Sequence, residues 1–223
     1  AKAVNDLDSA ASASAGLADL LEAEGDRDGA DDLLKTALST CISDGQKASL
    51  LTQRLGLHLR AGNSRKASSI FRQLEKLVAA AGLHEEAVDA HMLLGDHEWE
   101  RGKSRIDALK AYVAALVPAS SISIKVMIQT GSHAIHRLLS LDASDRPMQI
   151  ERIQDGLRSW LSKEVGSAKV PDAERIMLWP LRIALHIARD PTGIAMSSGR
   201  QMSKLLQAEL FDDLKCTELD SEK

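Results

Sequence analysis

The sequence predicts an all-α protein, a solenoid of antiparallel helix pairs with about ten helices. Three observations carry that expectation. The chain is rich in Ala and Leu but only 3% aromatic, a mix that suits close-packed helices better than sheets. Apolar residues recur at helical spacing along most of its length. Gly, Pro and capping residues interrupt those runs, leaving connections of a few residues that make successive helices pack antiparallel.

Periodicity and punctuation together place the helices at 3–24, 27–42, 45–61, 64–81, 84–101, 104–117, 121–141, 147–164, 172–189 and 192–214. Gly25, Gly62, Gly82 and Gly102 each follow an apolar run, where a left-handed C-cap costs Gly nothing. Asn63-Ser64 and Ser104 follow such glycines and suit the cap of the next helix, with Asp107 placed like the acid of a capping box. Asp172 after Pro171 and Thr192 after Pro191 are similar starts. Pro180 falls inside the run Ile176–Ala188, where it removes a backbone donor, so a kink or break is expected at Trp179-Pro180. In the second helix Ala30, Leu33, Leu34, Ala37 and Leu38 share a face, with Asp31, Asp32 and Lys35 opposite. In the fourth, Ala67, Ile70, Phe71, Leu74, Leu77 and Val78 do the same. A lone helix cannot hide such a stripe from water, so pairs must stack.

At 223 residues and 44% hydrophobic, the chain can bury a core without metal or disulfide. Cys41 and Cys216 lie far apart and match no ligand or redox spacing, which fits a reducing compartment and an expected cytoplasmic location. Apolar stretches such as Ala111–Ala119 fall well short of the ~20 residues of a membrane span. No basic region followed by an apolar run marks a signal peptide, and no membrane partner is expected. The chain opens on Ala1 inside what reads as a helix, as expected of an excised piece of a longer protein.

The net charge of −4 creates no bulk field that demands nucleic acid or membrane. Its distribution is uneven. Residues 1–45 carry −7 and residues 209–223 carry −4, leaving +7 for the middle. This reads as solvated helix faces; the sharper alternative is a mildly basic central surface that receives an acidic segment.

An internal repeat is the strongest signal. Gly25-Asp26-Arg27-Asp28-Gly29-Ala30, followed by Leu34, Ala37 and Leu38, returns as Gly62-Asn63-Ser64-Arg65-Lys66-Ala67, then Phe71 and Leu74. A third copy runs through Leu94-Gly95, Gly102, Ala108, Tyr112, Ala115-Leu116 and Pro118. Small residues such as Ala30, Ala67, Gly95 and Ala108 let paired helices approach, while Leu34, Phe71 and Tyr112 fill the space between pairs.

These residues resemble the tetratricopeptide repeat, whose pattern is a Leu-Gly pair, a turn Gly, a small Ala, an aromatic, a second Ala and a Pro. The turn glycines are spaced 37 and then 40 residues, against a family period of about 34. The first copy has Leu17-Ala18 in place of Leu-Gly, and Leu mostly replaces the large aromatics. The likeness covers about residues 10–118. Residues 1–118 are therefore read as tetratricopeptide-like repeats. Residues 119–223 continue the same array as helical pairs and C-terminal capping helices.

Chemical motifs are weak by comparison. His133 and His136 share one helix, and His91 and His97 lie beside Asp96 and Glu98, but neither set has HExxH spacing or a third ligand, so no metal is expected. Asp26-Arg27-Asp28-Gly29 hints at a calcium loop without the later bidentate acid, and is better explained as a repeat turn. Gly193 and Gly199 lack the Lys-Ser/Thr of a phosphate loop, and no serine sits in a nucleophile elbow. No catalytic residue and no cofactor is expected. Arg54, Arg60, Arg65, Lys66 and Arg72 cluster as in an RNA-reading repeat, but the aromatics needed for base stacking are few, which disfavours nucleic acid.

The resemblance implies a concave face made by the first helix of each pair, where family members bind extended or helical peptides. On this sequence that face would include Asp19 and Glu22, then Gln53, Leu57 and Arg60, then Met92, Asp96 and Trp99. Trp99 reads either as a partner anchor or as packing between pairs. The expected function is a protein-interaction or scaffold module. The alternatives are a ligand- or peptide-sensing domain and the helical part of a larger enzyme whose active site lies elsewhere.

Overall fold

The computed structural model describes residues 2–101, 104–164 and 170–189. Among these residues the chain is helical, with no strand. The helices are α1 (Lys2–Ala23), α2 (Arg27–Thr40), α3 (Asp44–Arg60), α4 (Ser64–Ala81), α5 (His84–Arg101), α6 (Arg105–Ile122), α7 (Ile124–Leu139), α8 (Arg146–Glu164) and α9 (Val170–Arg189). The expected tenth helix at 192–214 lies outside the described residues, as do Gly102, Thr192, Gly193, Gly199 and Cys216.

Local chemistry explains the turns. Three helices close on a left-handed Gly, Gly25 (φ 92), Gly62 (φ 71) and Gly82 (φ 67). In each, a backbone N–H beyond the glycine reaches back five residues: Asp26 to Leu21, Asn63 to His58 and Leu83 to Val78. That closure satisfies carbonyls the helix would otherwise leave orphaned. The opposite ends are capped by side chains. Asp26 accepts from Gly29 N at 2.9 Å, Ser43 from Gln46 N at 3.4 Å and Asn63 from Lys66 N at 3.3 Å. The Asp26–Gly29 segment is thus a capped turn.

Two helices run through a proline without a break. α6 continues through Pro118 to Ile122 rather than stopping at residue 117, and α9 runs unbroken through Pro180. Ala115, Leu116 and Ala119 around the first proline are fully buried, as are Leu178, Trp179 and Leu181 around the second. Packing on both sides outweighs the single backbone donor each proline removes. α9 also begins at Val170, so Asp172 lies inside its first turn rather than capping it.

The chain divides into two compact units, Ala1–Ser104 with Pro118–Ser123, and Arg105–Val117 with Ile124–Lys223. In the first, α1 packs on α2, α3 on α4, and α5 against both α3 and α4. Ala11, Ala18, Ala30, Leu34, Ala37, Leu50 and Leu57 form one core. Leu55, Leu59, Ala67, Ile70, Leu74 and Ala90 form the next. The small residues let backbones approach and the leucines fill the remaining volume.

Asp31 corrects the sequence reading of α2. It was expected on the solvent face beside Asp32 and Lys35, but it is 3% exposed. α2 is covered on one side by α1 and on another by α3. α3 brings Arg54 Nε to 2.8 Å and His58 Nε2 to 3.1 Å from Asp31 Oδ1, the latter off the line of a hydrogen bond. Lys35 lies at 2.9 Å and Lys66 at 4.0 Å from the other oxygen.

The second unit packs α9 on α7 and α8. Tyr112 of α6 meets His133 of α7 edge-on, ring centroids 5.2 Å apart. Trp179 of α9 packs against Gly131 of α7, where any Cβ would overlap its ring.

Candidate functional site

Polar bonds between α1 and α3 set up the site. Gln46 donates to Ser12 Oγ at 3.1 Å, Gln53 Nε2 to Asp19 Oδ2 at 3.0 Å, and Arg60 to both Glu22 oxygens at 2.7 and 2.6 Å. The partners are 34, 34 and 38 residues apart, so α1 and α3 run parallel in a steady register. α3 and α5 repeat the relation: Leu93 lies against Gly56, and Glu86 near Gly45.

Between these three helices lies an open groove of about 490 Å³, lined by Asp19, Ser49, Thr52, Gln53, Gly56, Arg60, Glu85, Glu86, Asp89 and Leu93. Spacing explains the α3 wall, because Ser49, Thr52, Gln53, Gly56 and Arg60 recur at three- and four-residue steps.

The residues named from sequence divide accordingly. Asp19, Gln53 and Arg60 line the groove, and Glu22 holds Arg60 at its edge. Leu57 does not belong there. One position past Gly56 turns it onto the α2 side, where it is 2% exposed and joins the core. Trp99 is 7% exposed and lies on the buried stripe of Val88 and Gly95, so it packs between helices rather than standing out as an anchor. Met92 and Asp96 are partly buried on α5 and lie outside the lining. Sequence reasoning missed Ser49, Thr52, Gly56, Glu85, Glu86, Asp89 and Leu93. Extending the Gln53 stripe by helical steps finds the α3 members. Glu85, Glu86 and Asp89 lie at the start of α5, before the point where the expected face began, and Leu93 lies one position past Met92.

The groove is acidic. Asp19, Glu85, Glu86 and Asp89 face one cation, Arg60, which is already paired. The Arg60 hydrogen bonds hold the Glu22 carboxyl below its ordinary value, and Glu22 in turn raises Arg60. Burial, then the charges of Glu86 and Glu85, push Asp89 up. The clustered bases of the sequence do not gather on one face. Arg54 and Lys66 turn towards Asp31 and Arg60 towards Glu22.

A second recess of about 240 Å³ lies along α4 and α5, lined in part by Phe71, Arg72, Glu75, Leu94 and Glu98. The Phe71 and His91 rings meet edge-on at 5.2 Å, and burial pushes His91 down to about 4 and Glu75 up. Among the described residues no three His, Cys, Asp or Glu side chains are grouped to hold a metal ion. No described helix is long and apolar enough to cross a membrane. The chain matches no known family model, no curated protein and no solved structure.

Proposed function

We propose that this chain is a tetratricopeptide-like solenoid that works by holding a polypeptide partner in the α1–α3–α5 groove, as a scaffold and not a catalyst. One observation carries the reading. α1 runs parallel to α3 in a steady register and α5 packs on the far side of α3, so three helices line a single open recess. Such stacked pairs present an extended concave surface, because each repeat contacts only its neighbours and adds its own strip of side chains. An open recess suits a chain laid along it better than a small ligand, which needs most of its surface enclosed.

The test is affinity capture from the source lysate. Wild type is run beside Ser49→Trp, which fills the groove from an exposed position, and Ser69→Trp, exposed on α4 away from it. A partner kept by wild type and Ser69→Trp but lost by Ser49→Trp is the expected result. Equal capture by all three, or no partner captured, overturns the reading.

A further inference from the structure

We infer that the occupant of the α1–α3–α5 groove is a cationic polypeptide segment, which brings lysine or arginine side chains to Asp19, Glu85, Glu86 and Asp89. This rests on the reading of the groove as a partner site and adds the chemistry of the partner. Donors and acceptors along the lining do not balance. The Thr52 hydroxyl donates to Ala48 O of its own helix at 3.0 Å. Gln53 spends its amide nitrogen on Asp19 Oδ2 and on Ala15 O at 3.3 Å, which fixes the orientation of the amide. Its Oε1 is thereby left out of water with no donor on it. Arg60 spends Nε and Nη2 on Glu22.

What the lining offers in excess is acceptors. Glu85, Glu86 and Asp89 fall within about one and a half turns of α5, and no ion pair joins them to a base among the described residues. Like charges so placed repel one another, and a cation arriving between them relieves that repulsion. Burial first, and then this crowding, raise the Asp89 carboxyl. A nucleic acid would bring phosphates to the same carboxylates and is repelled. Gly56 and Leu93 among the carboxylates give an uncharged strip for a peptide backbone and an apolar side chain, which a bare polyamine does not use.

The inference is tested by fluorescence anisotropy on the full chain, with a labelled peptide alternating Lys and Ala and a matching peptide alternating Glu and Ala. Wild type is compared with a groove-neutralised protein carrying Glu85→Gln, Glu86→Gln and Asp89→Asn. A control carries Glu24→Gln, Asp28→Asn and Glu100→Gln, which remove the same charge from exposed positions outside the groove. The Lys peptide should bind wild type, weaken as salt rises, and lose at least about tenfold in affinity to the groove variant but under about twofold to the control. Preference for the Glu peptide, binding of neither peptide, or an equal loss in the control overturns the cationic assignment. Displacement of the Lys peptide by spermine at matching affinity overturns the polypeptide assignment. A lysate partner lost by Ser49→Trp yet kept by the groove-neutralised protein would sink this inference while leaving the groove itself as the partner site.

Discussion

Asp31 is a carboxylate held out of water by its neighbours' charges. Burial alone would raise its pKa, but hydrogen bonds from Arg54 and Lys35, with attraction to Arg54 and His58, hold it down at about 2. A group depressed in the folded state stabilises the protein above its unfolded value of 3.8. That stability is lost as pH falls from there through about 2. His91 acts in a higher window. Burial lowers it to about 4, so between its ordinary 6.5 and about 4 the unfolded chain takes up a proton that the folded one refuses. Melting temperature should therefore fall in two steps on acidification. His91→Leu should flatten the upper step. Asp31→Asn should remove the lower step and cost about 3 kcal/mol at neutral pH, because the partly buried Arg54 is left without its counter-charge. Thermal melts across pH check both; a single step unaffected by either substitution would contradict the assignment. None of this was visible in the sequence, where Asp31 reads as one more acid on a polar stripe. Which side of α2 meets α3 is decided by packing, not by α2's own pattern.

At the scale of the element, helix positions and their ends were legible because they depend on nearby residues. Gly25, Gly62 and Gly82 close their helices as expected, and Asn63 caps the next. The break expected at Pro180 does not occur, because packing on both sides of the proline offsets its local penalty. Ala67 is 3% exposed where α3 and α4 approach, so Ala67→Trp should lower stability by roughly 1–3 kcal/mol through overpacking. Chemical denaturation monitored by circular dichroism reads this directly. A second close approach lies between α7 and α9. Gly131→Ala should shift the denaturation midpoint down by a similar roughly 1–3 kcal/mol, since its Cβ would meet the rigid Trp179 ring. An unchanged midpoint would mean that the ring is free to move aside.

For the whole molecule, the division into two compact units has a measurable consequence. In hydrogen exchange, Gly131→Ala should cost amide protection in α7–α9 while the amides of α2–α4 keep theirs, as local stabilities differ between cooperative units. Uniform loss would show the chain unfolding as one block. The same measurement on Ala67→Trp should give the opposite pattern, with protection lost in α3 and α4.

The sequence by itself determined that the described residues are helical and, to within a few residues, where most of their helices begin. Periodicity, caps and glycines act over a few residues, and those residues are adjacent in the chain. The tetratricopeptide resemblance also put Asp19, Gln53 and Arg60 on one face, and all three line the groove. Tertiary structure alone decided that Leu57 and Trp99 face the core, that Asp31 is buried, and that Glu85, Glu86 and Asp89 complete an acidic groove. Those outcomes depend on which side of each helix its neighbour covers. That is settled by contacts between residues tens of positions apart, where a single step of about 100° around a helix separates core from groove.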